Sequence, residues 1–320
     1  MRKCLLVVAV LLGVTVCFSG CLKKKEASGL AYVSKSVSVV GSVDFTKVLS
    51  IRKFREQVIE KESDEAMVEL KKAGLSAEKV TSVSFGVDLS AAAEGKEPDG
   101  IIIVRMSGTV SDQEKVLELL KKQLGEDAQA QFLSDSVLAI GTPAMVSEAV
   151  KLKGGTGESV SANESLMAVS EKGSKDGLVW MAAQVPEDQM KKLGKQAPGA
   201  PVSPESIRDI FLSGDYSDSA GLSLDVSVTL DSEKTAGELV PKLEQAKGMA
   251  SMFSGGTITG EMIQIKQEGA VVSLSMSVPK NVIDDLVDQT TEKAKDMPPM
   301  PSPGSGMTMP KGMPSMPNMP

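Results

Sequence analysis

Few residues in this sequence could do chemistry. Its 320 residues include no histidine and three cysteines, Cys4, Cys17 and Cys21. Without histidine, the usual general base, the commonest transition-metal ligand and the ordinary pH switch near neutrality are missing. Cys4 and Cys17 lie inside an apolar N-terminal run, so Cys21 is the one thiol beyond it. No G-x-S-x-G, phosphate-binding loop, H-E-x-x-H or EF-hand pattern occurs. Ser76-Ala-Glu-Lys79 has the S-x-x-K spacing that sets a lysine beside a serine nucleophile when the segment is helical. Here it follows Gly74 and runs into a strand pattern, without S-D-N or K-T-G partners, and reads as a chance match. Asp284, Asp285 and Asp288 cluster on a helical stretch and read as a solvated face rather than a metal site. Met307 and Met309, then Met313, Met316 and Met319, are spaced as thioether ligands for Cu(I) could be. Copper-handling tracts usually mix in histidine or cysteine, and this one has neither.

The segment before Cys21 has an order of its own. Arg2 and Lys3 form a short positive start, and an apolar run extends from Cys4 to Phe18. That run is about 15 residues, short of the ~20 that span a hydrocarbon core. Ser19 and Gly20 then precede Cys21. This resembles the signal peptide and lipobox of bacterial lipoproteins, with Phe18 in the place more often held by leucine. The resemblance covers only the leader. It implies that the Cys21 thiol receives diacylglycerol and that signal peptidase II cuts between Gly20 and Cys21. In many Gram-negative species the new N-terminus is acylated as well. Two or three acyl chains hold a membrane stably where one does not. By resemblance to the Gram-negative sorting rule, Leu22 rather than an aspartate after the cysteine implies the outer membrane. Asn163-Glu-Ser165 matches a glycosylation acceptor, which has no consequence in a bacterial cell.

Composition fits an anchored globular body. Apolar residues make up 41% and charged residues 24%, while aromatics are only 3%, so the core must be aliphatic. Removal of Arg2 and Lys3 with the leader leaves 33 basic against 42 acidic residues, a net charge of −9. Such a body has no electrostatic footprint for nucleic acid and would be repelled by anionic lipid. Any membrane attachment must then come from elsewhere, and the lipobox resemblance implies lipid on Cys21. Lys23, Lys24 and Lys25 lie where headgroups would be, but read first as part of a solvated tether.

Behind the tether, short β-rich runs alternate with amphipathic helices. Val37–Val43 reads as a strand, Asp44 as an N-cap, and Phe45, Val48, Ile51, Phe54 and Val58 as a helical stripe. Val80–Leu89 and Gly100–Met106 read as strands, the second covered on both faces. Ser111 and Glu114 suggest a capping box before the stripe Val116, Leu119 and Leu120. Gln131–Leu133 and Val137–Ile140 form a hairpin, and a helix follows Pro143.

The same order recurs later. Leu178–Val185, Pro186–Leu193, Ile207–Gly214, Leu222–Leu230, Ser232–Ala246, Glu261–Lys266 and Ala270–Val278 repeat it, with a helix after Pro279. Trp180 lies in one of these strands and reads as core. The expected fold is α+β: two tandem β-α-β-β-α-β(β)-α repeats in ferredoxin-like order, with antiparallel sheets and helices on one face.

The expected division follows these patterns. Residues 1–20 are the signal peptide, 21–35 the lipidated tether and 36–152 the first repeat. Residues 153–175 are a Gly/Ser-rich linker, 176–292 the second repeat and 293–320 a disordered Met/Pro-rich tail. Residues 297–320 hold eight of the 16 prolines and seven of the 18 methionines. The expected function is a non-enzymatic binding or structural role in the bacterial cell envelope, at the periplasm or cell surface. No cofactor or metal is expected, and the protein partner or small ligand is unassigned. Two other readings stand beside it: a hydrolase using carboxylates or a Ser–Lys pair, and soft-metal handling through the tail.

Overall fold

The structure is a computed structural model. It describes residues 29–52, 54–56, 65–91, 96–125, 127–184, 190, 203–253 and 256–283. Gly20, Cys21, the Pro186–Leu193 helix (Met190 apart), the acidic cluster at Asp284, Asp285 and Asp288, and the Met/Pro tail lie outside those residues.

Among the described residues, ten strands form one sheet in which every neighbouring pair is antiparallel. In the first half, β1 (Val39–Asp44), β2 (Val80–Asp88), β3 (Asp99–Met106), β4 (Gln129–Ser134) and β5 (Val137–Gly141) occur in that chain order. The second half supplies β6 (Val179–Gln184), β7 (Ile207–Ser217), β8 (Gly221–Leu230), β9 (Ile263–Glu268) and β10 (Val271–Val278). Across the sheet the order is β4-β5-β3-β2-β1-β6-β7-β8-β10-β9. Read outward from the central β1/β6 pair, each half has the same sequence: first, second, third, fifth, fourth. The two halves therefore share one sheet rather than building one each.

That order is not ferredoxin-like, and the connections show why. A single helix after β1 would carry the chain back along the strand and start the next one parallel to it. Instead α1 (Phe45–Ser50) and α2 (Glu65–Lys72) lead to a β2 that begins beside the end of β1, with Asp44 opposite Ser82. Only α3 (Gln113–Leu124) makes a simple crossover, from β3 to β4. β5 then inserts between them and pairs antiparallel with both. In the second half α6 (Glu233–Phe253) connects β8 to β9 in the same way, and β10 inserts.

Helices cover both faces of the first half, not one. On one face Phe45, Val48, Leu70, Val116 and Leu120, from α1, α2 and α3, pack on Val43, Val83, Val104 and Leu138. On the other, α4 (Pro143–Lys153) and α5 (Glu164–Ser170) bring Met145, Ala149, Leu166 and Val169 onto Val40, Ile103, Ala139, Trp180 and Phe211. Trp180 is in the core as expected, 5% exposed. The two-sided cover accounts for the apolar runs Ile101–Val104 of β3 and Val137–Ile140 of β5, whose residues are buried or half-buried. Gly41 of β1 has no room for a side chain, because the Phe85 ring and the Trp180 carbonyl occupy that space.

Two local expectations are corrected. Asp112, not Ser111, caps α3: its carboxylate accepts from the Lys115 backbone N–H at 3.0 Å. The Ser111 hydroxyl instead donates to the Ala73 carbonyl at 3.0 Å, tying α3 to the end of α2. The stretch read as a linker is also partly structured. Residues 160–162 form a 3-10 turn, α5 follows, and Val160 and Leu166 have no exposed surface.

Candidate functional site

Three regions present themselves: the point where the chain enters the body, the polar pairs on its surface, and the parts of the sheet that no described element covers. The entry is the most tightly built. A 3-10 turn at Gly29–Tyr32 buries Gly29 and Leu30, so residues placed in the tether belong to the body. A Cβ on Gly29 would stand 2.6 Å from the Ser84 hydroxyl. Ser84 is 1% exposed, and its hydroxyl is satisfied by Ser42 at 3.2 Å. The next residues are tied to the segment between the halves. The Lys35 backbone N–H donates to the Glu158 carbonyl at 3.0 Å, and that of Val160 to the Val33 carbonyl at 2.8 Å. Asn163 adds a donation from Nδ2 to the Lys35 carbonyl at 3.1 Å. Its Oδ1 caps α5 by accepting from the Leu166 N–H, so this side chain is structural.

Among the described residues, charged side chains make surface pairs and, at Glu69, a triad. Glu69 lies 2.7 Å from Lys72 and 3.1 Å from Lys115. The Lys72 hydrogen bond, followed by that of Lys115, holds its carboxyl below the usual glutamate range. Glu118 is lowered by its hydrogen bond with Lys122, and Asp231 chiefly by the Thr235 hydroxyl. All three are solvent-facing, where such pairs are screened by salt. Lys172 reaches Asp209 at 2.6 Å and Thr229 at 2.7 Å, linking the end of α5 to β7 and β8. Among the described residues, no group of three or more His, Cys, Asp or Glu side chains is spaced to hold a metal.

Ser76 and Lys79 do not form a nucleophile–base couple. Ser76 begins a one-turn 3-10 helix, Ala77–Lys79, rather than the α-helix that the S-x-x-K arrangement needs. The Lys79 amine donates to the Gly74 carbonyl at 3.0 Å, at the end of α2. Two surface depressions among the described residues are lined by ordinary surface side chains. One, of about 640 Å³, is bordered by Lys35, Asn163, Glu164 and Ser165. The other, of about 320 Å³, is bordered by Glu261, Gln264, Ser275 and Ser277.

The uncovered sheet was not foreseen from the sequence. On β8 and β10, Ser223, Asp225 and Ser227 share a face with Ser273, Ser275 and Ser277, opposite the face that carries α6. Ser275 donates to Asp225 at 2.6 Å. The sheet ends in β4 on one side and β9 on the other. These edges differ in chemistry. β9 reads IQIKQE and carries Lys266 and Glu268, whereas β4 reads QAQFLS and carries no charge. Strand alternation was legible in the sequence, but which strands become edges depends on the order of pairing.

No helix among the described residues is long and apolar enough to cross a membrane. No protein-family model matches the chain, and no curated protein or solved structure is significantly similar to it.

Proposed function

We propose that the chain is a lipoprotein of the bacterial envelope, lipidated on Cys21 after cleavage behind Gly20. Its sheet acts as a non-enzymatic binding or structural module on the membrane surface, most consistent with the outer membrane. The observation that carries the reading is the ordered leader: Arg2 and Lys3, the apolar run Cys4–Phe18, then Ser19-Gly20-Cys21. A two- or three-chain lipid anchor would give the acidic body the hold that its charge opposes.

The same reading would limit how far the body stands from the bilayer. Gly29, in the first described turn, is eight residues after Cys21. At ~3.3–3.6 Å per extended residue, lipid on Cys21 would keep Gly29 within about 26–29 Å of the anchored residue's backbone. The body would work close to the bilayer. We also infer that the halves arose by tandem duplication of a β-α-β-β-α-β-β unit. The mirrored strand order and the shared crossover with its inserted strand support this.

The test is metabolic labelling in a bacterial host with a fatty-acid analogue. The wild-type chain takes up label and a Cys21→Ala chain does not. Label persisting on the Cys21→Ala chain would overturn the reading.

A further inference from the structure

We propose that the outer edge of β4 is a docking site for an extended segment of another protein, which adds a strand to the sheet. That segment is uncharged and alternates apolar and polar residues over its middle, and it is basic at both ends. The inference names a partner for the binding role above. It needs no lipid on Cys21, so the two can fail separately.

Backbone parity defines the docking groups. The Thr142 N–H donates to the Gly100 carbonyl and the Met106 N–H to the Ser136 carbonyl, so even-numbered residues of β5 bond towards β3. Odd-numbered ones, Ala139 and Gly141, then face β4, where they pair with Gln131 and Gln129. In an antiparallel ladder successive residues alternate direction. The N–H and C=O groups of Ala130 and Phe132 therefore point away from the sheet. Among the described residues no strand pairs with them. The bulge between Phe132 and Ser134 ends the regular run, which leaves Gln129–Phe132 as the platform.

Natural sheets guard such edges with charge, above all lysine. The equivalent strand of the other half, β9, has that guard in Lys266 and Glu268. β4 has neither a charge nor a proline over Gln129–Ser134. Two equivalent edges of one sheet thus differ in the feature that decides whether another chain can add. Ala130 and Phe132 are half-buried on the α3 side. Gln129 and Gln131 lie on the α4 side. An added strand continues these surfaces with apolar residues towards α3 and polar ones towards α4.

The occupant is not a second copy of this chain. Self-pairing that uses both outward residues sets Ala130 opposite the partner copy's Phe132. Such antiparallel pairing also brings the start of one strand, flanked by Asp127, beside the end of the other, flanked by Asp135, at both ends of the pair. Like charges brought close across a strand pair oppose it. The carboxylates that oppose self-pairing favour lysine or arginine at the two ends of a foreign strand.

Amide hydrogen exchange on the full mature protein tests this, with a synthetic peptide of alternating valine and threonine ending in lysines. At saturation the Ala130 and Phe132 amides slow by at least about tenfold, while Ile263 and Ile265 on β9 do not change. A glutamate-ended peptide needs about tenfold more for the same effect. The double variant Asp127→Lys, Asp135→Lys reverses that preference. Ala130→Pro removes an outward N–H without touching the β5 ladder and abolishes the effect, with the fold checked by circular dichroism. The proposal is overturned if Ala130 and Phe132 stay unprotected, if both peptides act alike, or if β9 responds equally. Protection that grows with protein concentration alone would overturn it in favour of self-pairing.

Discussion

Glu69 sits between two ammonium groups, and its carboxyl is stabilised in the charged form by Lys72 first and Lys115 second. Its pKa is lower in the folded chain than in the unfolded one. The stabilisation is therefore complete above the unfolded value and is lost as pH falls through the folded one. Carboxyl carbon shifts in an NMR titration should place the Glu69 midpoint below that of a peptide glutamate. Replacing Lys72 and Lys115 by alanine should return it to the ordinary range, and an unchanged midpoint would remove the pairing. At Asp112, substitution by alanine should cost about 1 kcal/mol, the usual loss for an N-cap, measured by denaturant unfolding. Glu114→Ala should cost far less, since no capping box forms. Asp44 was legible as a cap because a lone capping residue precedes the stripe, and it does accept from the Lys47 N–H at 3.1 Å. At α3 two adjacent residues could cap, and the choice was made by Ala73, which takes the Ser111 hydroxyl from another helix.

Strands were the most legible elements, because alternation and β-branched runs mark them whatever they pair with. Leu222–Leu230 shows the point: its even positions are apolar and its odd positions Ser, Asp, Ser and Thr, and the odd face carries the open polar surface. Helix ends were less legible. α6 runs on to Phe253, past the boundary expected near Ala246, and holds Pro241 within it. Composition marks 153–175 as a spacer, but it cannot register that Val160 and Leu166 have a core to enter. Leu166→Ala should cost about 2–5 kcal/mol, as for other fully buried leucines. A cost below ~0.5 kcal/mol in equilibrium unfolding would return the segment to a spacer. The edges belong to this scale too. A charge on β9 and none on β4 gives one sheet one guarded and one receptive side.

At the scale of the molecule, pairing between β1 and β6 merges two similar halves into one sheet with a single central seam. That pairing was not legible, because it depends on two strands about 140 residues apart finding each other. The order of elements within each half could be read along the chain; the order across the sheet could not. The candidate anchor was legible for the opposite reason. A leader is read by processing enzymes as a linear pattern, and Cys21 needs no fold around it. On the proposed reading, lipid on Cys21 would give the acidic body its hold on a membrane, eight residues ahead of Gly29. The most direct measurement is intact mass spectrometry of the N-terminal peptide of the protein extracted from bacterial membranes. The account predicts a peptide beginning at Cys21 and heavier than its sequence by a diacylglycerol, with or without a further acyl chain. A peptide that begins elsewhere, or an unmodified Cys21, would contradict it.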